Sequence, residues 1–483
     1  MHWFGPLPGS HEARALSWMA IAVGLLMCGL SILHGFAGQT FMGRPLGGDF
    51  VQFYVAGKIL NQNEAARLYD LDLEVRLQHE AVPEAPQDQM LVFASAPYAG
   101  LIYRAFARLP YAWAYVAWLA FSLALYAAAV GLLLCSVPLS GQQRTTGFLL
   151  AISSMPFLME TWIGGQISVL GCFAIALFLF CRSRNRRFLA GLALALALFK
   201  PTLIAIPVLM LVCGRRWRML SGVVTGAAAV ALASIQMVGI RGCAAWLQTL
   251  RFYGRLATGP AEALRRTKYV DVGSFFHLLL GSASTLAQVL AVVAGLAALA
   301  MLAAGWWQSS SWSASSRDLL WAATLSGALV SNVYTPIYDT ILIGPAAALA
   351  AGVMLRSGRK EREVFGGWLV LLYIVPWLTQ SFAEFSRFQL FTLILAGFAW
   401  WALGCARRRP ERQEGAQSQG PQDIDLESGE GSGVCQTQGS TYHQRLGLTS
   451  YAASCLTRNS RRCLSVFLRS YSPAPAILWE RDR

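Results

Sequence analysis

The sequence is short of charge. Charged residues make up 13% of its 483 positions, where a soluble domain carries roughly 25%. That shortage excludes a chain organised around a water-facing surface. Other absences narrow the field further. The ten cysteines form no C-x-x-C and no Cys/His pattern of ligand spacing, which excludes a zinc site and a disulfide framework. They fall mostly in apolar or cytoplasmic-type segments, with Cys243 alone placed outside. No glycine-rich phosphate loop stands between a strand and a helix, and the hydrophilic loops on the basic side are short. A soluble sugar-nucleotide or dinucleotide enzyme is therefore a poor fit. No 20–50-residue repeat and no strand-rich domain is present. No small-residue cleavage site follows the first apolar run, so residues 15–36 read as a first membrane span behind a short cytoplasmic N-terminus, 1–14, and not as a removable signal.

What is present is apolar length. Hydrophobic residues make up 55%, in runs near 15–36, 111–136, 146–159, 167–181, 188–199, 201–213, 219–239, 284–307, 318–333, 340–355, 365–379 and 388–405. These predict an all-α polytopic membrane protein of about twelve spans over residues 15–405. The net charge of +14 comes from arginine clusters between the runs: "RSRNRR" (182–187), "GRRWR" (214–218), "RSGRKER" (356–362) and "ARRRPER" (406–412). Such clusters set membrane orientation and do not call for nucleic acid. With them in the cytoplasm, twelve spans put both termini inside. The run 188–213 lies between two basic clusters. Two half-spans meeting at Lys200-Pro201 keep both clusters on one side, and a proline disfavours continuing the helix through it. Residues 406–483, rich in Gln, Gly, Ser and Arg, read as a disordered cytoplasmic tail.

The outer loops are then 37–110, by far the largest, with 160–166, Lys200, 240–283, 334–339 and 380–387. They hold a set of polar residues on one face: Asp49; Glu160 with Gln166; Lys200; and Tyr334, Tyr338 and Asp339. Ionisable groups at membrane depth are costly and mark pathways or sites, so this convergence points to an outward-facing site. The alternative is that each group caps a helix end at the headgroup level. For Asp49 that alternative has a specific form. "RPLGGDFVQFYVAGKIL" (44–60) places Asp49 before a helical pattern with Gln52 three residues on, a capping-box arrangement, and there is no second acid beside it to hold a metal. Taken alone, the local pattern favours a cap. Phe50, Phe53, Tyr54, Gly57 and Leu60 fall on one face of that helix, which fits either a helix in the membrane interface or an ordinary packed one. The 240–283 loop adds a basic run, "LRRTK" (264–268), and a short apolar piece, "FFHLLLG" (275–281), with the shape of a re-entrant segment. His277 reads as structural.

The ordered motifs "GGDFVQFYVAGKIL…ARLYD", "ASAPYAGLIYRAFARLPYAWAYVAW", "GGQIS", "FKPT" and "YTPIYDT" resemble glycosyltransferase family 87, also called domain of unknown function 2029, over roughly residues 45–400. The resemblance implies a GT-C-type fold with a catalytic first outer loop (37–110). It also implies transfer of a hexose, mannose in the family's characterised type, from a polyprenyl-phosphate donor to an envelope glycolipid or glycan on the outer face of a bacterial plasma membrane. It makes Asp49, the Asp of the "DF" motif, the general base of an inverting single displacement. Lys200, at the family's "KP" position, becomes a cation for the leaving phosphate. Arg265, Arg266 and Lys268 join it on charge and side alone. No metal or other cofactor is implied. Ala96-Pro97 stands where family members often have Pro-Pro. Tyr334, Thr335 and Pro336 occupy a stretch where they often carry a histidine, so no role of that histidine is carried over. A transporter or flippase of envelope lipids, and a non-catalytic assembly partner, are the competing classes. The absence of inverted repeats and the one-sided polar cluster speak against transport.

Overall fold

In the computed structural model, apolar periodicity becomes helix through most of the described residues. The described residues are 11–41, 45–85, 91–258, 266–281 and 283–408. Of the tail expected over 406–483, residues 406 and 407 continue the last helix, and the rest from 409 onward, residues 1–10 and the candidate Arg265 lie outside the described residues. Sixteen α-helices follow in order: α1 (His11–Phe36), α2 (Phe50–Asn61), α3 (Leu71–Ala81), α4 (Gly100–Phe106), α5 (Tyr111–Cys135), α6 (Gly141–Ile152), α7 (Ser168–Ser183), α8 (Arg187–Ala195), α9 (Ala205–Cys213), α10 (Trp217–Thr258), α11 (Val272–Leu280), α12 (Thr285–Gln308), α13 (Ala314–Ser331), α14 (Ile343–Met354), α15 (Arg359–Ser386) and α16 (Leu390–Arg407). Among the described residues the one β-type pairing is an isolated bridge between Tyr269 and Pro336.

Among the described residues seven helical stretches are long and apolar enough to cross a membrane, and an eighth arises if α6 and the π-helical turn Pro156–Ile163, bent by 50°, count as one span. The twelve apolar runs of the sequence are mainly helical, but Ser168–Ser183, Arg187–Phe199 and the 9-residue α9 are shorter than a full crossing. The protein is thus a nearly all-helical membrane protein. The break expected at Lys200 is there. α8 tightens into a 3-10 turn at Leu196–Phe199, Lys200 leaves helical space at φ −133° and ψ 86°, and Pro201–Leu203 starts a second 3-10 turn before α9. α10 bends at Gly239, whose φ of +70° a glycine adopts without a steric penalty.

The first large loop folds back onto the helices. The aromatic face of α2 is buried in protein and does not lie in the membrane interface. Phe50 is enclosed by Tyr54, Tyr103, Tyr111, Tyr115 and Trp118, with ring centroids 5.8–6.3 Å away. Gly57 lets α2 approach α4, because a Cβ there would stand 2.4 Å from the carbonyl oxygen of Tyr103. The segment 91–98 is fastened at successive points. Gln78 bridges both backbone groups of Leu91, and the Phe93 amide donates to Glu74 Oε2 at 3.0 Å. The Trp246 indole donates to the Ala94 carbonyl at 3.1 Å and the Tyr69 hydroxyl to the Ser95 carbonyl at 2.7 Å. At the far end, the Ala96 amide donates to the Phe199 carbonyl at 2.9 Å, and the Tyr98 hydroxyl donates to the Leu196 carbonyl. The loop thereby holds the broken helix at Lys200.

Glu74 makes this fastening pH-dependent. Burial pushes its carboxyl up to about 8, partly offset by the Phe93 amide. A carboxyl that holds its proton more tightly when folded weakens folding as pH rises from its ordinary value near 4.5 towards about 8. Each pH unit in that window costs at most about 1.4 kcal/mol. The thermal midpoint of the purified chain is therefore expected to fall between pH 5 and pH 8, and Glu74→Gln to flatten the profile. A fall of the same size in the Gln variant would assign it to another group.

Candidate active site

Two Gly-Gly turns build the centre of the polar cluster. Gly47 and Gly48, at φ +78° and +51°, turn the chain into α2, and Gly165, at φ +71°, turns the π-helical segment into α7. These are left-handed conformations that favour glycine. The turns clasp each other. The Asp49 amide donates to the Gly164 carbonyl at 3.1 Å, and a Cβ on Gly165 would stand 2.6 Å from the Gly47 carbonyl oxygen and from Phe50 Cβ. One helix pins both turns. On α5, one helical turn apart, the Tyr111 hydroxyl donates to the Leu46 carbonyl at 2.6 Å and the Tyr115 hydroxyl to the Ile163 carbonyl at 2.7 Å. A third tie comes from the Trp162 indole, which donates to the Leu119 carbonyl at 2.9 Å.

This clasp decides what the Asp49 side chain does. Asp49 stands at the N-cap position of α2, but in helical conformation and without a side-chain cap hydrogen bond. The capping box with Gln52 does not form, because the glycine turn already closes the helix start through the Phe50 amide and the Gly47 carbonyl, at 2.8 Å. Instead the carboxylate, half-buried, accepts a hydrogen bond from the Gln166 side-chain amide of the opposite turn.

Beside this pair lies a second group. Lys200 forms an ion pair with Asp339, whose side chain is 2% exposed. The other Asp339 oxygen accepts from the Ser168 hydroxyl at 2.7 Å. The Lys200 ammonium lies 5.4 Å from the ring centre of Tyr334 and 5.0 Å from that of Tyr338, within cation–π range. The helix break is what frees Lys200 to turn in, and the Asn332 side-chain amide steadies it by donating to the Thr202 carbonyl at 2.9 Å. Thr161 ties the two groups together through a hydrogen bond to the Tyr338 carbonyl.

Of the sequence candidates, the structure brings together Asp49 with Gln166, and Lys200 with Tyr334, Tyr338 and Asp339. Glu160 faces elsewhere, accepting from the Gln380 side chain of α15 at 2.9 Å. Arg266 is buried in the 3-10 turn Arg266–Lys268 and Lys268 is half-buried beside it. Burial pulls the Arg266 guanidinium down, while Asp271 and Tyr269 hold it up. His277 is buried on α11.

Tyr269 and Asp271 are additions that sequence reasoning missed. The Tyr269 phenol is pushed up by burial and then by Tyr334, Asp271, Asp49 and Asp339, so it feels the charge of both halves of the cluster. Asp271 is fully buried and fastens the two outer strings of residues together. It accepts from the Ser274 amide at 2.7 Å, the Ser274 hydroxyl at 3.0 Å and the Thr335 amide at 3.0 Å. Burial raises its carboxyl and these donors pull it back. The spacing Asp271-x-x-Ser274 is a readable cap signal. For Tyr269 no local signal exists, since its place depends on the bridge to Pro336.

The fold and this cluster define a class: a helical membrane protein with a one-sided polar site, in which one half-exposed carboxylate is oriented by a partner amide. The comparison with protein families gives a sharper answer. The model of glycosyltransferase family 87 matches residues 93–336, just over half of the chain, and the protein belongs to that family. It is a membrane glycosyltransferase. The match takes in Glu160, Gln166, Lys200, Tyr269 and Tyr334, whereas Asp49, Tyr338 and Asp339 flank it. Neither a curated protein nor a solved structure matches the chain.

Proposed function

We propose that the protein transfers a hexose, mannose on the family reading, from a polyprenyl-phosphate donor to a glycolipid or glycan acceptor of a bacterial envelope, at the outer face of the plasma membrane and with both termini in the cytoplasm. The observation that carries the reading is the state of Asp49: a half-exposed carboxylate, oriented by Gln166 and not used as a helix cap. In the reaction an acceptor hydroxyl oxygen bonds to the anomeric carbon as the bond from that carbon to the phosphate oxygen breaks. The hydroxyl proton passes to Asp49, the configuration inverts, and the polyprenyl phosphate leaves as an anion. A glycosidase needs a second carboxyl to protonate its leaving group. A phosphate does not, and positive charge beside it serves instead. Lys200, Arg266 and Lys268 are the cations for that task, with Arg265 of the same run. Tyr269, Tyr334 and Tyr338 supply the aromatic wall on which a sugar ring rests. No metal enters this mechanism.

The test is direct. Purified protein, given a panel of polyprenyl-phosphate sugars and a membrane extract, is expected to transfer sugar from polyprenyl-phosphate mannose. An absence of turnover with every lipid-linked donor, alongside active controls, overturns the proposal.

A further inference from the structure

The arginine clusters at the other end of the molecule do more than accumulate charge. α8 begins at Arg187 and runs to the break at Lys200, so its start lies roughly 20 Å from the polar cluster. Two turns there follow one plan. Beyond Ser183, α7 is closed by Asn185, in left-handed conformation at φ +57°, with the Arg186 amide donating to the Cys181 carbonyl at 2.9 Å. Beyond Cys213, α9 is closed by Arg215, left-handed at φ +53°, with the Arg216 amide donating to the Leu211 carbonyl at 2.9 Å. Both are Schellman-type caps, and each leads straight into the next helix. The two helices that follow are in tight contact. A Cβ on Gly191 of α8 would stand 1.8 Å from the Met219 carbonyl oxygen, and one on Gly222 of α10 would stand 2.1 Å from the Phe188 carbonyl oxygen. Two positive helix ends and two arginine-rich turns are thus held side by side.

Most of these arginines are spoken for. Arg182 pairs with Asp318, Arg216 donates to the Ser309 carbonyl and hydroxyl, Arg215 stacks on Trp307 and Arg184 on Phe180. Arg186, Arg187 and Arg218 line a cavity of about 410 Å³ with Asn185, Phe188 and Leu189. The Arg187 Nε–H donates to the Asn185 side chain at 3.2 Å, which fixes the plane of its fork. Carboxylates are absent from that lining, and positive charge is dense around it: the Arg216 guanidinium is pulled down by burial and then by Arg317, Arg187 and Arg182. Phe188 and Leu189 make the apolar part of the lining and are exposed, and Trp217, the residue before Arg218, is 61% exposed, as an interfacial tryptophan is.

We propose that this cavity is a binding site for an anionic phospholipid. Its phosphate takes the guanidinium forks of Arg187 and Arg218, both helix starts face the negative charge, and the acyl chains lie along Phe188, Leu189 and Trp217. The apolar rim is what selects a lipid over a free anion, and basic pockets between membrane helices bind such headgroups. A lipid bridging the two turns clamps α8 to α10 at the end opposite Lys200.

The experiment uses the full chain, delipidated in neutral detergent, and needs no activity, so it stands apart from the glycosyltransferase reading. Phosphatidylglycerol is expected to raise the thermal midpoint and to remain bound in native mass spectrometry, while phosphatidylcholine does neither. The double variant R187Q/R218Q is expected to bind phosphatidylglycerol about 30-fold more weakly, at about a tenfold change per 1.4 kcal/mol and roughly one such step or less per arginine. R187K/R218K, which keeps charge but loses both forks, is expected to fall between, and it serves where the Gln pair does not fold. Equal stabilisation by phosphatidylcholine, unweakened phosphatidylglycerol binding in both double variants, or the same gain from inorganic phosphate alone overturns the proposal.

Discussion

Asp49→Asn is expected to lower the rate of sugar transfer by about 10²–10⁴-fold and to leave the protein folded. The geometry separates the two effects. An asparagine oxygen accepts the Gln166 hydrogen bond as a carboxylate oxygen does, and the backbone bond from residue 49 to Gly164 is untouched. The Gly47-Gly48 and Gly164-Gly165 clasp, with its Tyr111 and Tyr115 pegs, does not involve the side chain. The thermal midpoint is therefore expected to stay within about 2 °C of the parent. What is lost is the ability to take a proton. Donor binding makes no use of that ability, so the fall belongs in kcat, with KM little changed. An Asn variant that transfers sugar at the parent rate removes Asp49 from the mechanism.

The same residue shows what the sequence could and could not deliver. Length and apolar runs were enough to place helix along the chain, because a helix satisfies its own backbone and needs no partner to be recognised. The break at Lys200-Pro201 was legible too, from charge on both flanks and a proline between. The Asp49 side chain was not. Its local pattern, an acid three residues before a glutamine, reads as a capping box, and the structure turns it elsewhere because the Gly47 carbonyl takes the Phe50 amide and the distant Gly164 carbonyl takes the Asp49 amide that Gln52 would have capped. The aromatic stripe of α2 likewise suits a membrane surface or a protein core equally well, and Tyr103, Tyr111, Tyr115 and Trp118 decide for the core. Tyr269 had no readable signal at all. Its position depends on a single bridge to Pro336 and on a buried aspartate that ties together two distant loops. Motif order carried what local pattern could not: "GGD", "GGQIS", "FKPT" and "YTPIYD" lie far apart in sequence and meet in one place.

Lys200 carries the second large effect. Its partner Asp339 is almost wholly buried, and removing one member of a buried pair leaves an uncompensated charge that costs about 3–5 kcal/mol. Lys200→Met is therefore expected to destabilise the protein strongly and to abolish transfer. By itself that result is ambiguous, because a protein that unfolds is also inactive. The double variant Lys200→Met/Asp339→Asn resolves it. With both charges gone the site is neutral, the Ser168 hydroxyl still has an oxygen to donate to, and replacement of a buried pair by uncharged groups is often close to neutral in stability. The double variant is thus expected to recover most of the lost stability. Activity then reports on chemistry alone. If the Lys200 ammonium, held over Tyr334 and Tyr338, stabilises the departing phosphate, the refolded double variant remains inactive. If it only balances Asp339, transfer returns along with the fold. The first outcome is favoured because the Lys200 side chain keeps 16% of its surface exposed where that of Asp339 keeps 2%, so a phosphate approaches the lysine more readily than the acid.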